Sequence, residues 1–213
     1  MSSTTRVMIV DDHAVVREGL KMILEGQEAI SVVAEAGDDA SALTQARERE
    51  IDVVLLDVSL PGRSGLEILK QLRRQYPDLV VLMLSIHPED QYAVRFLRAG
   101  ASGYMTKETA PAELVAAIRK VASGGRYVSQ QLAECLVEEL EKPDTGEPHT
   151  RLSDREYQLL VRIGQGLKPG QIAEELHVST KTISTYRTRL LEKMGLSSNA
   201  ELVHYAVRQG LVD

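Results

Sequence analysis

Cysteine, tryptophan and phenylalanine are nearly missing from this chain of 213 residues: it has no tryptophan, one phenylalanine and a single cysteine, Cys135. A lone thiol excludes an internal disulfide and a cysteine-built metal centre. Long apolar runs are missing as well. Nothing approaches the ~20 residues of a membrane-spanning helix, and Met1-Ser2-Ser3-Thr4-Thr5-Arg6 lacks the basic-then-apolar pattern of a secretory leader. A cytoplasmic protein without a membrane partner is expected.

A surplus of positive charge is also lacking, since the net charge is -6. Its distribution is uneven. Residues 1–148 hold 16 Lys+Arg against 24 Asp+Glu, whereas residues 149–213 hold 9 against 7. The acidic body is a poor nucleic-acid binder, and the mildly basic carboxyl-terminal part is a plausible one. Two domains with different partners follow.

What is present is alternation. Strand-like runs at 7–10, 30–34, 53–57, 80–85 and 103–105 each precede a helix-like segment, at 14–24, 38–49, 64–76, 89–99 and 110–123. Five such units in one domain predict an α/β fold, a five-stranded doubly wound parallel sheet. Val15, Val16, Leu20, Ile23 and Leu24 supply the apolar stripe of the first helix. After Gly124-Gly125 the pattern changes. A helix capped by Ser129 spans 129–141, and 142–150, with two prolines and a glycine, reads as a flexible linker. The domains are therefore expected at 1–125 and 151–213, with a helix-bearing linker at 126–150. Residues 151–213 are helical throughout, with a capping box at Ser153 and Glu156 and further helices at 169–177, 180–194 and 198–210. That is a small all-α, four-helix domain.

Asp57 ends the run Ile51-Asp52-Val53-Val54-Leu55-Leu56-Asp57, and Asp11-Asp12 follow Val7-Met8-Ile9-Val10. The carboxyl ends of parallel strands share one edge, where open α/β sheets place ligands. Three acids gathered there repel unless a cation joins them, and a hard divalent ion, Mg2+, fits oxygen donors. Taken singly, each aspartate could be a turn former or a helix cap. Ser85 and Lys107 end two more strands at the same edge. A carboxylate nucleophile, a metal cradle, a hydroxyl and a lysine are what phosphoryl transfer to aspartate requires. His13 and His87 are not needed by that chemistry. His87 reads as a loop residue rather than one that governs the attack of water on a phosphoryl group.

Val10-Asp11-Asp12-His13, Leu55-Leu56-Asp57-Val58-Ser59-Leu60-Pro61-Gly62, Leu84-Ser85 and Gly103-Tyr104-Met105-Thr106-Lys107 stand in order along residues 6–123. This segment resembles a response-regulator receiver domain, which is flavodoxin-like. Residues 151–213 resemble the helix-turn-helix output domain of the NarL/FixJ (LuxR-type) branch. The resemblance implies that Asp57 is the phosphoacceptor. It implies that Asp11, Asp12, Asp57 and the backbone carbonyl of Ser59 hold Mg2+, and that Lys107 pairs with the phosphoryl group. Ser85 and Tyr104 take the switch positions, the ring turning inward as the hydroxyl moves. A packed core ring is the plain alternative for Tyr104. A sensor histidine kinase is the implied donor.

In the second domain, Gln171–Ser179 reads as a helix and tight turn, and the helix that follows reads as the one that enters a major groove. Ser184, Thr185 and Thr188 share one face and are candidates for base edges. Lys181, Thr182, Arg187, Arg189, Lys193 and Lys168 are candidates for phosphates. A domain of such modest charge grips DNA weakly alone. A homodimer formed on phosphorylation, reading two half-sites of double-stranded promoter DNA, is therefore expected, with RNA polymerase as a further partner. Leu202, Val203, Tyr205, Ala206 and Val207 on the last helix serve its core or the dimer. No enzyme activity in its own right is expected. An aspartate-based phosphatase needs a second acid two residues beyond the nucleophile, and that position is Ser59. A phosphorelay scaffold without a DNA role is the other alternative, and the Gln171–Met194 segment argues against it.

Overall fold

The computed structural model describes residues 4–60, 63–86, 91–141 and 147–212, and the chain divides into two units, Met1–Glu141 and Lys142–Asp213. His87 and the Pro61-Gly62 pair, both singled out in the sequence, lie outside the described residues, as do positions 142–146 of the linker.

The first unit is built on five parallel strands: β1 (Thr5–Val10), β2 (Ile30–Ala36), β3 (Val53–Asp57), β4 (Val80–Ser85) and β5 (Gly103–Thr106), in the order β2-β1-β3-β4-β5. Every residue of β3 is buried, because a central strand covered on both faces has no solvent side and so shows no polar alternation. The helices α1 (Ala14–Leu24), α2 (Asp39–Glu48), α3 (Gly65–Gln75) and α4 (Gln91–Arg98) connect the strands, and α5 (Pro111–Ala122) follows the last. On one face Val7, Ile9, Leu55, Leu82, Leu84 and Met105 pack with Leu24, Leu114, Ile118 and Val121. Asp38 and Ser64 cap α2 and α3 through reciprocal capping boxes, which satisfy helix N–H groups that have no intrahelical acceptor.

The structure differs from the sequence expectation in several places. β2 runs to Ala36 rather than Ala34, since its register against β1 shifts between Val7 and Met8 and brings Ala36 beside Val10. Val15 was expected in the apolar stripe of α1 but is 84% exposed, as is Met22 at 73%. Residues after Gly125 do not leave the sheet at once. Tyr127 makes a parallel bridge to Gly103, donates its amide to the Ser102 carbonyl at 2.9 Å, and donates its hydroxyl to Glu113. α6 (Gln130–Glu141), capped by the Ser129 hydroxyl, packs on α4 with Leu132 fully buried. The segment 126–141, expected in the linker, thus belongs with the sheet unit.

The second unit holds a single 3-10 turn at Pro148–Arg151 among its described residues, followed by α7 (Asp154–Gly164), α8 (Pro169–Glu175), α9 (Thr180–Met194) and α10 (Asn199–Arg208). α7 packs against both α9 and α10, and α8 against α9. Ile172, Ala173, Leu176, Ile183, Leu190, Met194, Leu202 and Ala206 are buried. α8 stops two residues earlier than expected. His177 takes a left-handed φ of 51°, and its N–H and that of Val178 return to the carbonyls of Glu174 and Ala173. That closes the helix as a C-terminal cap does and turns the chain into α9.

Candidate functional site

Strand register assembles the site. Val10 lies opposite Leu56, Asp57 opposite Leu84, and Ser85 opposite Thr106. The residues at and just beyond these strand ends, Asp11, Asp57, Ser85 and Lys107, therefore share one edge. The backbone reinforces this: the Asp11 amide donates to Ala36, the Val58 amide to Leu84, and the Lys107 amide to the Ser85 carbonyl at 2.6 Å.

The side chains converge. The Lys107 ammonium is 2.6 Å from Asp11 Oδ2 and 2.9 Å from Asp57 Oδ2. The Ser59 amide donates to Asp57 Oδ1 at 3.2 Å, and the His13 amide to Asp11 Oδ1 at 2.9 Å. Asp11 and Asp57 are almost completely buried. Burial pushes the Asp57 carboxyl above the ordinary carboxylate range, against the pull of Lys107. Burial also works against the Lys107 ammonium, but Asp57 and Asp11 outweigh it and hold its pKa above that of a free lysine. Asp11, Asp12, His13 and Asp57 each bring a ligand atom within 4.8 Å of the others. Three carboxylates face one lysine, so the pocket keeps a negative surplus that a hard divalent ion fits.

Ser85 and Tyr104, the two residues expected at switch positions, are both enclosed. Ser85 is 1% exposed and Tyr104 is 0% exposed. The Tyr104 ring points inward, its centroid 5.9 Å from that of Phe96 on α4.

Two supporting residues went unread in the sequence. Arg17 on α1 donates to the Asp11 carbonyl at 2.7 Å and lies 3.4 Å from Glu35. Gly65 opens α3 directly against the end of β3, where an added Cβ would lie 2.5 Å from the Asp57 carbonyl oxygen and 2.9 Å from Val58 Cα. A glycine just after a capping serine was the only sign of it.

On α9, Lys181, Ser184, Thr185, Thr188, Arg189 and Lys193 are exposed, with Thr182 and Arg187 partly so. The Ser184, Thr185 and Thr188 hydroxyls donate back to the carbonyls of Thr180, Lys181 and Ser184, which leaves their lone pairs outward as acceptors. Three candidates for phosphate contact are engaged within the unit. Thr182 joins the Ser179 cap, Arg187 donates to Asn199 at 2.6 Å, and Lys193 to Glu156 at 2.7 Å.

Comparison with known proteins agrees with both halves. Residues 7–119 match the response regulator receiver domain family, and residues 150–206 match the bacterial regulatory proteins of the luxR family. The chain is 40% identical over 206 residues to the response regulator UvrY of Escherichia coli K12, covering 96% of this chain and 94% of that protein. It is 43% identical over 209 residues to the response regulator GacA of Pseudomonas viridiflava, covering 98% of each. Among solved structures, RcsB of Salmonella enterica serovar Typhimurium, bound to promoter rprA with the phosphomimetic BeF3-, superposes with a TM-score of 0.63 at 25% identity, over 95% of this chain and 98% of that one. The chain belongs to the response regulators of two-component systems, as a phosphorylation-dependent, DNA-binding transcription regulator that joins a receiver domain to a luxR-family domain.

Proposed function

We propose that Asp57 accepts a phosphoryl group from a sensor histidine kinase, and that this event promotes homodimerisation and binding of the luxR-family domain to double-stranded promoter DNA. The observation that carries the reading is the Lys107 ammonium within 2.9 Å of Asp57 and 2.6 Å of Asp11 at one strand edge. A carboxylate oxygen of Asp57 attacks phosphorus, the phosphorus–nitrogen bond of the donor phosphohistidine breaks, and an acyl phosphate forms. Asp11, Asp12, Asp57 and the Ser59 carbonyl would hold Mg2+, which when bound supplies countercharge to the phosphoryl oxygens. Lys107 exchanges its bond to the Asp57 carboxylate for one to the phosphoryl group. Ser85 donates to a phosphoryl oxygen, and Tyr104, packed on Phe96, reports the change to α4.

The output is read by α9. Lys181 and Arg189 supply phosphate contacts, while Ser184, Thr185 and Thr188 offer acceptors to base amino groups. Thr182, Arg187 and Lys193 add positioning contacts as far as their bonds within the unit allow. The chain then acts in the cytoplasm as a regulator, with RNA polymerase as a further partner and no reaction on external substrates. Among the described residues no helix is long and apolar enough to cross a membrane. The test is acetyl phosphate with Mg2+ on wild type and on Asp57→Asn, followed by intact mass, solution size and DNA retention. Wild type should gain the mass of one phosphoryl group, grow toward a dimer and bind duplex more tightly, and Asp57→Asn should do none of these. A phosphorylated chain unchanged in size and DNA affinity would overturn the proposal.

A further inference from the structure

The loop after β1 carries one donor more than phosphoryl transfer uses. The His13 ring nitrogen Nδ1 lies 2.9 Å from Asp12 Oδ1 and 3.3 Å from Asp11 Oδ1. We propose that His13 is a metal ligand, and that its imidazole gives the acidic pocket a preference for borderline transition-metal ions such as Co2+ and Ni2+ over Mg2+. The inference rests on the reading of Asp11, Asp12 and Asp57 as a cation site, and adds to it the class of ion that the site selects.

Geometry supports the assignment. Six-coordinate ions with bonds near 2.1 Å hold neighbouring ligand atoms about 2.9–3.1 Å apart and opposite ones about 4.2 Å apart. The 2.9 Å from His13 to Asp12 matches neighbouring positions, and the 3.3 Å to Asp11 lies a little beyond them. The limit of 4.8 Å on all four donors, those of Asp11, Asp12, His13 and Asp57, spans the opposite ones. The four residues thus gather their donors on the scale of one coordination shell.

The backbone also places the ring at the pocket. His13 is the residue before α1, with extended φ and ψ of -86° and 108°, and its side chain makes no bond to the first turn of that helix. Its backbone amide is tied to Asp11 Oδ1 at 2.9 Å, which fixes where the ring leaves the chain. Side-chain exposure of 57% leaves the ring open to solvent at the rim of the pocket. A neutral nitrogen donor adds little for Mg2+, which prefers oxygen and keeps its waters, and much for Co2+ or Ni2+, which imidazole suits. The three carboxylates supply the charge attraction common to every divalent ion. His13 supplies the discrimination.

The experiment uses the full chain without an affinity tag and with Mn2+ as the probe. Bound Mn2+ is counted from the loss of the free-ion EPR signal, then displaced by Mg2+ in one series and by Ni2+ in another. In wild type, pulsed EPR of bound Mn2+ should show coupling to a nitrogen nucleus. In His13→Ala that coupling should vanish, the Ni2+ advantage over Mg2+ should fall by about tenfold or more, and the concentration of Mg2+ needed for displacement should change by less than about twofold. Circular dichroism of the variant checks its fold. Absence of nitrogen coupling in wild type, or an unchanged Ni2+ advantage in His13→Ala, overturns the proposal and leaves His13 as a hydrogen-bond partner of Asp12. If Asp12→Asn also leaves Mn2+ affinity unchanged, or if wild type holds no Mn2+, the cation site itself is refuted, which is a separate outcome.

Discussion

The Lys107 ammonium lies 2.9 Å from Asp57 Oδ2 and bridges it to Asp11. It is the countercharge of a buried carboxylate pair, and it occupies the same pocket edge that a divalent ion would share. Removing it should therefore cost stability and favour metal at the same time. Lys107→Met is expected to lose about 2–4 kcal/mol in chelator, because two buried carboxylates are left without their partner. Millimolar Mg2+ should recover much of that loss, and Mg2+ affinity should rise above that of wild type. Urea melts with and without Mg2+ check both signs. Equal melts for the two proteins in chelator would mean that the lysine carries none of this load.

Gly65 tests the backbone side of the same pocket. A methyl group there meets the Asp57 carbonyl oxygen and Val58 Cα, which are main-chain atoms at the end of β3 and cannot swing away. Gly65→Ala should destabilise the fold by about 1–3 kcal/mol, as overpacking does. It should also slow labelling of Asp57 by acetyl phosphate, since α3 must move off the strand end. Gly124→Ala makes a useful contrast, because nothing lies within 4 Å of its added methyl and only its φ of 86° resists.

At the opposite edge of the sheet, Asp52 joins the starts of two strands. Both its carboxylate oxygens accept from the Arg6 guanidinium, at 2.8 and 3.0 Å, and one also accepts the Arg6 amide at 2.7 Å. These bonds to Arg6 hold the Asp52 carboxyl below the ordinary range, despite some burial. A lowered folded pKa means stability that is present above the unfolded value, near 3.9, and lost as pH falls through the folded value. Both partners are more than one-third exposed, so water screens the pair and the gain is about 1 kcal/mol. Asp52→Asn should trail wild type by that amount at neutral pH, and the gap should close in acid. Urea midpoints across the pH range measure it, and a gap that widened in acid would contradict the assignment.

The strand runs and terminal acids were legible in the sequence because buried parallel strands and their polar ends differ sharply in composition. Asp11, Asp57, Ser85 and Lys107 were placed at one edge by topology alone, and the register confirms that placement. Less visible were features set by tertiary contact. Val15 follows the helical stripe but faces outward, since periodicity fixes a face only to within a residue. Tyr127 was lost to the double glycine before it, yet it pairs with Gly103 because that glycine has no side chain to block the approach. Lys193 looked like a phosphate contact from its charge. Only the packing of α7 on α9 reveals Glu156 as its partner.

That last distinction leads to a prediction on DNA. Arg189 is exposed and Lys193 is bonded to Glu156, so the two cations should behave differently on substitution. Duplexes selected from a random library by the phosphorylated protein supply the ligand. Arg189→Ala should weaken binding to all of them alike and lower the salt slope by about 0.9, the value of one phosphate contact. Lys193→Ala should change the slope by much less and instead lower stability by about 0.5–1 kcal/mol. Ser184→Ala removes an outward acceptor without touching charge. It should leave the salt slope intact and relax the choice of base at one position by about 1–3 kcal/mol. Filter binding across a salt series, on the selected duplex and its single-position variants, separates the three. A Lys193→Ala slope equal to that of Arg189→Ala would show that the bond to Glu156 opens on the DNA and that both cations reach phosphate.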